Sequence, residues 1–417
     1  MTPTTHSARG ATVSPRLSSV SPQPHGRRVL FLGTHGQANV GDELLLDTFL
    51  TELGPDNAYA VNSYAPAATT AQLAQRFDVT VFDTASDRRG LLTHLWRCDV
   101  VIFGGGNILK ELYRSVGRWR YATLTMVLAV VLLARLAGKP VMMANVGIGP
   151  VASAPGRLLV KAILRLVWLI SVRDEGSYRF ALSVGCPRRK VRLVPDAVWA
   201  RDAVSLGQQA DRPEPGSDRP LRIAVNLNKD VDAADEWGGF LDRLVAALDE
   251  VAHARRVEFH ALPMQCGFKA GTDLEVLEGV LERVSGRAEA RVYVHAPADH
   301  HEVASLIADC DVVVSERLHA IVLAVVVGRP VVALPYDVKV RELVAQLGIE
   351  SRSFDVSADL DSAALAESIL RAADSGGAER NRIAAVAAVK RRDAASAFAS
   401  LRAWVAAPSR TWELPAA

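Results

Sequence analysis

Cysteine is scarce: four in 417 residues, Cys98, Cys186, Cys266 and Cys310, with none of the paired spacing of a zinc knuckle or redox motif. That excludes a disulfide scaffold and points to buried thiols in a reducing, cytosolic setting. Long apolar runs are missing too. The longest uncharged one, Ala122–Ala134, falls short of the roughly 18–20 residues that cross a bilayer, so a buried helix is expected there. The opening stretch has no apolar h-region and is rich in Ser, Thr and Pro, so residues 1–27 read as a disordered tail. Net charge is small: 48 Lys+Arg against 46 Asp+Glu give +2. Four of those cations, Arg9, Arg16, Arg27 and Arg28, share an acid-free segment, which leaves the body near −2. No basic field covers it, which argues against a nucleic acid partner.

What is present is the balance of an ordinary globular protein, 49% hydrophobic and 23% charged, long enough for two or three domains. Arg28–Gly33 reads as a buried strand and Asp42–Leu53 as a helix with Asp42 at its start. Further strands are expected at Ala58–Asn62, Val79–Phe82, Asp99–Phe103, Pro140–Asn145, Ile170–Val172 and Val191–Val194. Residues 201–220 turn polar and carry prolines, the signature of a linker. A second alternating series follows, with strands at Leu221–Leu227, Val257–Leu262, Arg291–Val294, Asp311–Ser315 and Pro330–Leu334 and helices between them. The alternation predicts an α/β protein of two doubly wound, Rossmann-like lobes, residues 28–200 and 221–405, with a ligand cleft between them. Residues 406–417 form a closing tail.

The distinctive segments each follow a predicted strand, where open α/β sheets collect ligand groups. The first runs from Gly33 to Glu43 and holds Gly33, Gly36, Asn39, Gly41, Asp42 and Glu43. It lacks the Lys-Ser/Thr ending of a P-loop and the spacing of a dinucleotide fingerprint, so ATPase and dehydrogenase readings lose support. Asp42 reads equally as a helix cap or as an acceptor-binding carboxylate. The second is Gly104-Gly105-Gly106-Asn107, where three glycines in a row point to close backbone approach. Behind it, Arg114, Arg118, Trp119, Arg120 and Tyr121 mix cations with aromatics; a solvated loop with one anchor is the simpler account. The third ends the Ile170–Val172 strand in Arg173-Asp174-Glu175, and Arg173 either forks onto an anion or makes a surface pair with its neighbours. Pro195-Asp196 ends another strand and could face the same cleft, though a simple turn is the plainer reading. The fourth, Ser315-Glu316-Arg317-Leu318-His319-Ala320 followed by Tyr336-Asp337-Val338-Lys339, would set a guanidinium, an imidazole and an ammonium around a helix start. His295, His300 and His301 crowd one stretch without a completing ligand motif, so a solvated loop and helix start is expected and no metal. On a helix, Arg157, Lys161 and Arg165 form one charged stripe, either facing solvent or resting on anionic lipid.

Taken in order, Gly36–Glu43, Gly104–Asn107, Gly147-Ile148-Gly149-Pro150, Arg173-Asp174-Glu175, Arg317-Leu318-His319-Ala320 and Tyr336-Asp337-Val338-Lys339 resemble the motif series of the polysaccharide pyruvyl transferases, over about Arg28–Ile349. The resemblance implies a GT-B-like two-lobed fold and transfer of a pyruvyl unit from phosphoenolpyruvate to saccharide hydroxyls, with no cofactor besides that donor. By the same likeness Arg173, Arg317, His319 and Lys339 surround phosphoenolpyruvate. Asn39, Gly41, Asp42, Glu43, Gly105, Gly106, Asn107 and Tyr336 bind substrate, and the first lobe receives the sugar. A phosphate and a carboxylate on one small donor call for at least two cationic clamps, which Arg173, Arg317 and Lys339 can supply, and His319 is the candidate general acid. A lipid-linked acceptor would bring the enzyme to the inner face of the membrane. The competing readings are a nucleotide-sugar glycosyltransferase and a noncatalytic saccharide-binding scaffold.

Overall fold

A computed structural model describes residues 26–112, 119–208, 219–228, 234–267, 272–284, 290–295 and 299–412. Most of the tail at 1–27, half of the linker, the end of the closing tail, and Arg114 and Arg118 lie outside the described residues.

Two all-parallel sheets organise the chain. The first contains β1 (Arg28–Leu32), β2 (Ala58–Ser63), β3 (Asp78–Asp83), β4 (Val100–Gly104), β5 (Val141–Val146), β6 (Leu169–Val172) and β7 (Val191–Leu193), in the order β3-β2-β1-β4-β5-β6-β7. The second contains β8 (Leu221–Asn226), β9 (Val257–Ala261), β10 (Ala290–Val294), β11 (Val312–Ser315) and β12 (Val331–Ala333), in the order β10-β9-β8-β11-β12. Central strands such as β4 and β11 are buried along their whole length, as their continuous Val/Ile/Phe runs require when helices cover both faces. In each sheet the winding reverses at one point, between β1 and β4 and between β8 and β11. There the register sets Leu32 beside Phe103 and Ser315 beside Asn226, so the loops that follow are held side by side. Crevices at such switch points are where this kind of sheet binds ligands.

Helices Arg88–Arg97, Ala122–Leu136, Ala154–Leu166 and Glu175–Ser183 cover one face of the first sheet, their inward side chains sharing one core. Here the expectation of a buried helix at Ala122–Ala134 needs correction: Leu124, Val127, Val130, Val131 and Ala134 are buried, while Met126, Leu132, Leu133 and Leu136 are exposed. Among the described residues, no helix is long and apolar enough to cross a membrane. The Arg157–Arg165 stripe lies on the outside of its helix, with Arg157 and Arg165 exposed. Cys98, Cys186 and Cys310 are buried free thiols, and Cys266 is half-buried.

The range assigned to the second lobe ends in a helix that returns to the first. Gly376–Ala406 places Phe398, Leu401 and Trp404 in a core that also holds Phe49 and Leu50 of the first lobe and Ile321 and Val325 of the second. Phe398 meets Phe49 edge to face, with centroids 5.3 Å apart. A Phe398→Ala variant is therefore expected to lose about 3 kcal/mol or more of stability, against almost none for the exposed Val389→Ala. Parallel thermal melts check this, and equal midpoints would mean that the helix is not a structural strap.

Candidate active site

A cleft of about 670 Å³ lies between the lobes, walled by the loops after β1, β4, β5 and β6 on one side and by those after β8, β9, β11 and β12 on the other. Arg173, Arg317, His319, Tyr336 and Lys339 all line it, together with Asn39, Asp42, Gly106 and Asn107. Arg173, Lys339 and the Arg317–His319 pair, drawn from three stretches of chain, thus share one space. Gly41, Glu43 and Gly105 stand just behind the surface and shape it.

Arg173 sits where β6 ends and is almost fully buried. It does not pair with its sequence neighbours: Asp174 caps the following helix at Ser177 N, and the Glu175 N–H donates to Glu342 of the other lobe. Its Nη1 donates instead to Asp196 Oδ2 at 2.7 Å and lies 3.1 Å from Nε2 of His319. The reading of Pro195-Asp196 as a simple turn is corrected here, because Asp196 holds two functional side chains. Burial alone would raise its pKa, but Arg173 and His319 outweigh that and keep its carboxyl well below the usual carboxylate range. His319 Nε2 is 3.6 Å from Asp196 Oδ2.

His319 belongs to the first turn of the Leu318–Val326 helix in the second lobe, yet it reaches the first lobe. A Cβ at Gly41 would stand 2.1 Å from His319 Nδ1, so only glycine lets the Val40–Leu53 helix approach the imidazole. Gly147 plays the same part for Lys339: a Cβ there would lie 3.0 Å from Lys339 Nζ and 2.8 Å from Asn107 Oδ1. Burial, reinforced by Arg173, pulls the Lys339 ammonium down to about 8. Arg317 caps the helix start, and its guanidinium is held in a fork by Asp273, with Nε–Oδ2 at 2.8 Å and Nη2–Oδ1 at 2.5 Å, and by Asn228 Oδ1 at 3.0 Å. Glu316 is buried behind it, pushed up to about 8 by burial, and accepts from Asn228 N.

The glycine-rich segment after β1 is tied across the lobes. Asn39 caps the Val40–Leu53 helix by accepting from Asp42 N, and its amide donates to Gln265 Oε1 at 3.1 Å. Val40 N donates to Met264 O at 2.9 Å. Asp42 accepts from Thr34 at 2.9 Å, and Glu43 accepts from Gly36 N, its pKa pushed up to about 7 by burial. Gly105 and Gly106 both take positive φ, at 66° and 68°, which lets the turn pass close to Leu45 and Asp42. Asn107 donates to Gly149 O at 2.5 Å.

Lys110 and Asp273 are the residues that sequence reasoning did not single out. Lys110 lines the cleft three residues after Asn107, a spacing that offered a signal. His300 also departs from expectation: it is buried rather than solvated, with Nε2 at 3.4 Å from Asp47. Among the described residues Asp47, His300 and His301 form the one group whose ligand atoms lie within 4.8 Å of one another. Arg76 and Arg201 already pair with Asp47, which sets two cations where a metal would bind.

Such a cleft between two parallel α/β sheets defines a GT-B-like fold. The solved structures that share this fold include HepE of Anabaena with bound UDP-glucose (15% identity, 90% of this chain and 98% of that one, TM-score 0.60). Others are a putative UDP-N-acetylglucosamine 2-epimerase of Listeria monocytogenes (12%, 91% and 96%, 0.60) and the UDP-GlcNAc 2-epimerase of Neisseria meningitidis bound to UDP-GlcNAc (13%, 86% and 94%, 0.55). At these identities the likeness shows the fold alone. A search of curated protein sequences finds no match. The family model for polysaccharide pyruvyl transferase matches residues 39–338, and the chain belongs to that family.

The contact between Gly41 and His319 is open to direct test. Gly41→Ala is expected to drive the imidazole away from Arg173 and to lower turnover on the order of 100-fold, with little change in melting temperature. Steady-state rates beside thermal melts measure both, and an unchanged rate would remove His319 from the reaction.

Proposed function

We propose that the protein transfers a pyruvyl group from phosphoenolpyruvate to two hydroxyls of a saccharide, giving a pyruvate ketal and inorganic phosphate, with no cofactor. The observation that carries this reading is the convergence of Arg173, Arg317, His319 and Lys339 on one cleft. Phosphoenolpyruvate presents a phosphate and a carboxylate on three carbons. Arg173, Arg317 and Lys339 hold those two anions, and Lys110 adds a cation at the same wall.

His319 gives a proton to C3 of the donor, turning the methylene into a methyl group, and a saccharide hydroxyl adds to C2 and releases its own proton. The C2–O bond to phosphate then breaks, phosphate leaves with the bonding pair, and the second hydroxyl closes the ketal and releases its proton. Of the two protons released, one replaces that given by His319 and the other balances the departing phosphate. Asp196 accepts from Arg173 at 2.7 Å and faces His319 Nε2 at 3.6 Å, so its charge balances the ring as a cation, and as a neutral ring the imidazole receives from Arg173. Asp42, on the acceptor side, takes a hydroxyl proton. The acceptor is a saccharide, polymeric or carried on a lipid at the inner face of the cell membrane, and the enzyme works in the cytoplasm.

Incubation with phosphoenolpyruvate and a saccharide acceptor is expected to release phosphate and to add one pyruvyl ketal to the glycan by mass spectrometry. His319→Ala and Arg317→Ala should each lower that rate by a factor on the order of 1,000. Release of a nucleotide from a nucleotide sugar instead would make the protein a glycosyltransferase, and no turnover at all would make it a saccharide-binding scaffold.

The pH profile supplies a second check. Lys339 binds an anion only when protonated, so kcat/KM for phosphoenolpyruvate is expected to fall above about pH 8. Folding stability moves the other way. Because the folded pKa lies below the ordinary lysine value of 10.5, the cost of burying the charge is full below about 8 and is relieved as pH rises towards 10.5. In Lys339→Met both pH dependences should vanish, and their persistence would assign the alkaline limb to another group.

A further inference from the structure

The outer side of the Ala122–Leu136 helix is as apolar as its inner side. Met126, Leu132, Leu133 and Leu136 point away from the core, with Leu136 83% exposed. Leu158, 67% exposed, stands on the Ala154–Leu166 helix packed beside Ala122–Leu136, and Trp96, 65% exposed, on the Arg88–Arg97 helix of the same sheet face. A helix apolar all round is normally covered on every side, and an exposed patch of this kind marks a surface that meets something.

Charge decides what covers it. These three helices carry seven lysines and arginines and not one aspartate or glutamate. Arg157 and Arg165 border Leu158 on the outside, with Lys161 between them. A second copy of the chain, paired about a two-fold axis, would set these cations against one another with no carboxylate to answer them. An anionic lipid surface answers both features, taking the leucines and tryptophan into its interface and pairing its phosphates with the cations.

Only the N-terminal ends of these helices lie beside the cleft; Trp96, Leu132, Leu133 and Leu136 stand in the last turns, at the far end. Ser153 caps the Ala154–Leu166 helix and receives both Tyr121 Oη at 2.9 Å and, through its own N–H donating at 3.0 Å, the carboxylate of Glu111, next in sequence to the cleft residue Lys110. We infer that the three helices Arg88–Arg97, Ala122–Leu136 and Ala154–Leu166 form a docking surface for an anionic phospholipid membrane. Its purpose rests on the lipid-carried form of the proposed acceptor, whereas membrane binding itself requires no turnover.

Flotation with vesicles of phosphatidylcholine containing about 30% phosphatidylglycerol is the test, with pure phosphatidylcholine vesicles as control. Wild type is expected to float with the anionic vesicles only, and less at high salt. Replacing Arg157, Lys161 and Arg165 together by alanine should weaken binding roughly 100-fold, at about fivefold per cation. The pair Leu133→Ser and Leu136→Ser should abolish flotation, with both variants melting like wild type. Absence of wild-type flotation, or flotation indifferent to both sets of changes, would overturn the inference. So would a dimer in ultracentrifugation that Leu133→Ser and Leu136→Ser dissociate, because a second copy would then cover the patch. Wild type that floats but never consumes phosphoenolpyruvate would leave this surface standing and refute the proposed chemistry instead.

Discussion

One buried carboxylate, Asp196, decides how the two lobes meet. Arg173 comes from the first lobe and His319 from the second, and their nitrogens lie 3.1 Å apart. An arginine can only donate, so that contact is a hydrogen bond when the imidazole is neutral and offers a lone pair at Nε2. When the ring carries a second proton the contact becomes one between cations, costly away from water. Asp196, at 2.7 Å from the guanidinium and 3.6 Å from the ring, makes either state tolerable. Removing it would leave a buried arginine facing an imidazole with no anion between them, so the site and the lobe interface rest on the same group.

The remaining ties across the lobes leave the site little freedom to drift. Ala38, Asn39 and Val40 exchange hydrogen bonds with Met264, Gln265 and Cys266, and Glu342 accepts from the N–H groups of Glu175 and Gly176. Away from the cleft, Asp47 of the first lobe collects Arg76 and Arg201 and stands beside His300 of the second. Burial pulls His300 down to about 4, so near neutral pH it adds no further positive charge to that joint. The long Gly376–Ala406 helix then straps the rear of both lobes. Positioning of His319 therefore rests on the whole interface rather than on its own loop, which suits a reaction whose groups must be held in place before the donor arrives.

The twelve strands among the described residues were legible because short, doubly buried parallel strands write themselves as apolar runs, and the glycine-rich and Arg-Leu-His segments stood at their ends. Asp273 was not, and Asp196 only as a turn that could face the cleft, for a physical reason. An aspartate after a strand or opening a helix looks like a cap: Asp196 is one, accepting from Val198 N, whereas Asp273 accepts from Met264 N and Gln265 N of the preceding loop. Their second role depends on partners 23 and 44 residues away, Arg173 and Arg317, which no local pattern encodes. Gly41 and Gly147 were legible as glycines, but not as the positions where a side chain of the opposite lobe comes to rest. The Gly376–Ala406 helix escaped notice because its alanine-rich sequence shows only a faint apolar stripe.

What the cleft selects for follows from where its charges are already spent. Asp42 is engaged by Thr34, Asp174 by Ser177, Asp337 by the N–H of Val340, Asp196 by Arg173 and Asp273 by Arg317. Lys339 stands apart from this accounting. Its ammonium is buried near a like charge, Arg173, and the fall from 10.5 to about 8 measures how poorly the protein alone accommodates it. At neutral pH it is charged all the same, so the folded protein carries a penalty on the order of 3 kcal/mol at that one side chain. An anion placed beside Lys339 relieves that penalty, whereas a neutral sugar does not. The first lobe sets polar partners, Asn107 and Asp42, beside its own Arg173 and Lys110, and the second lobe adds Arg317 and Lys339, the charge of Lys339 being answered only in part by Asp174 and Asp337. A small, densely anionic group where these cations meet, with hydroxyls towards Asn107 and Asp42, is what this distribution favours.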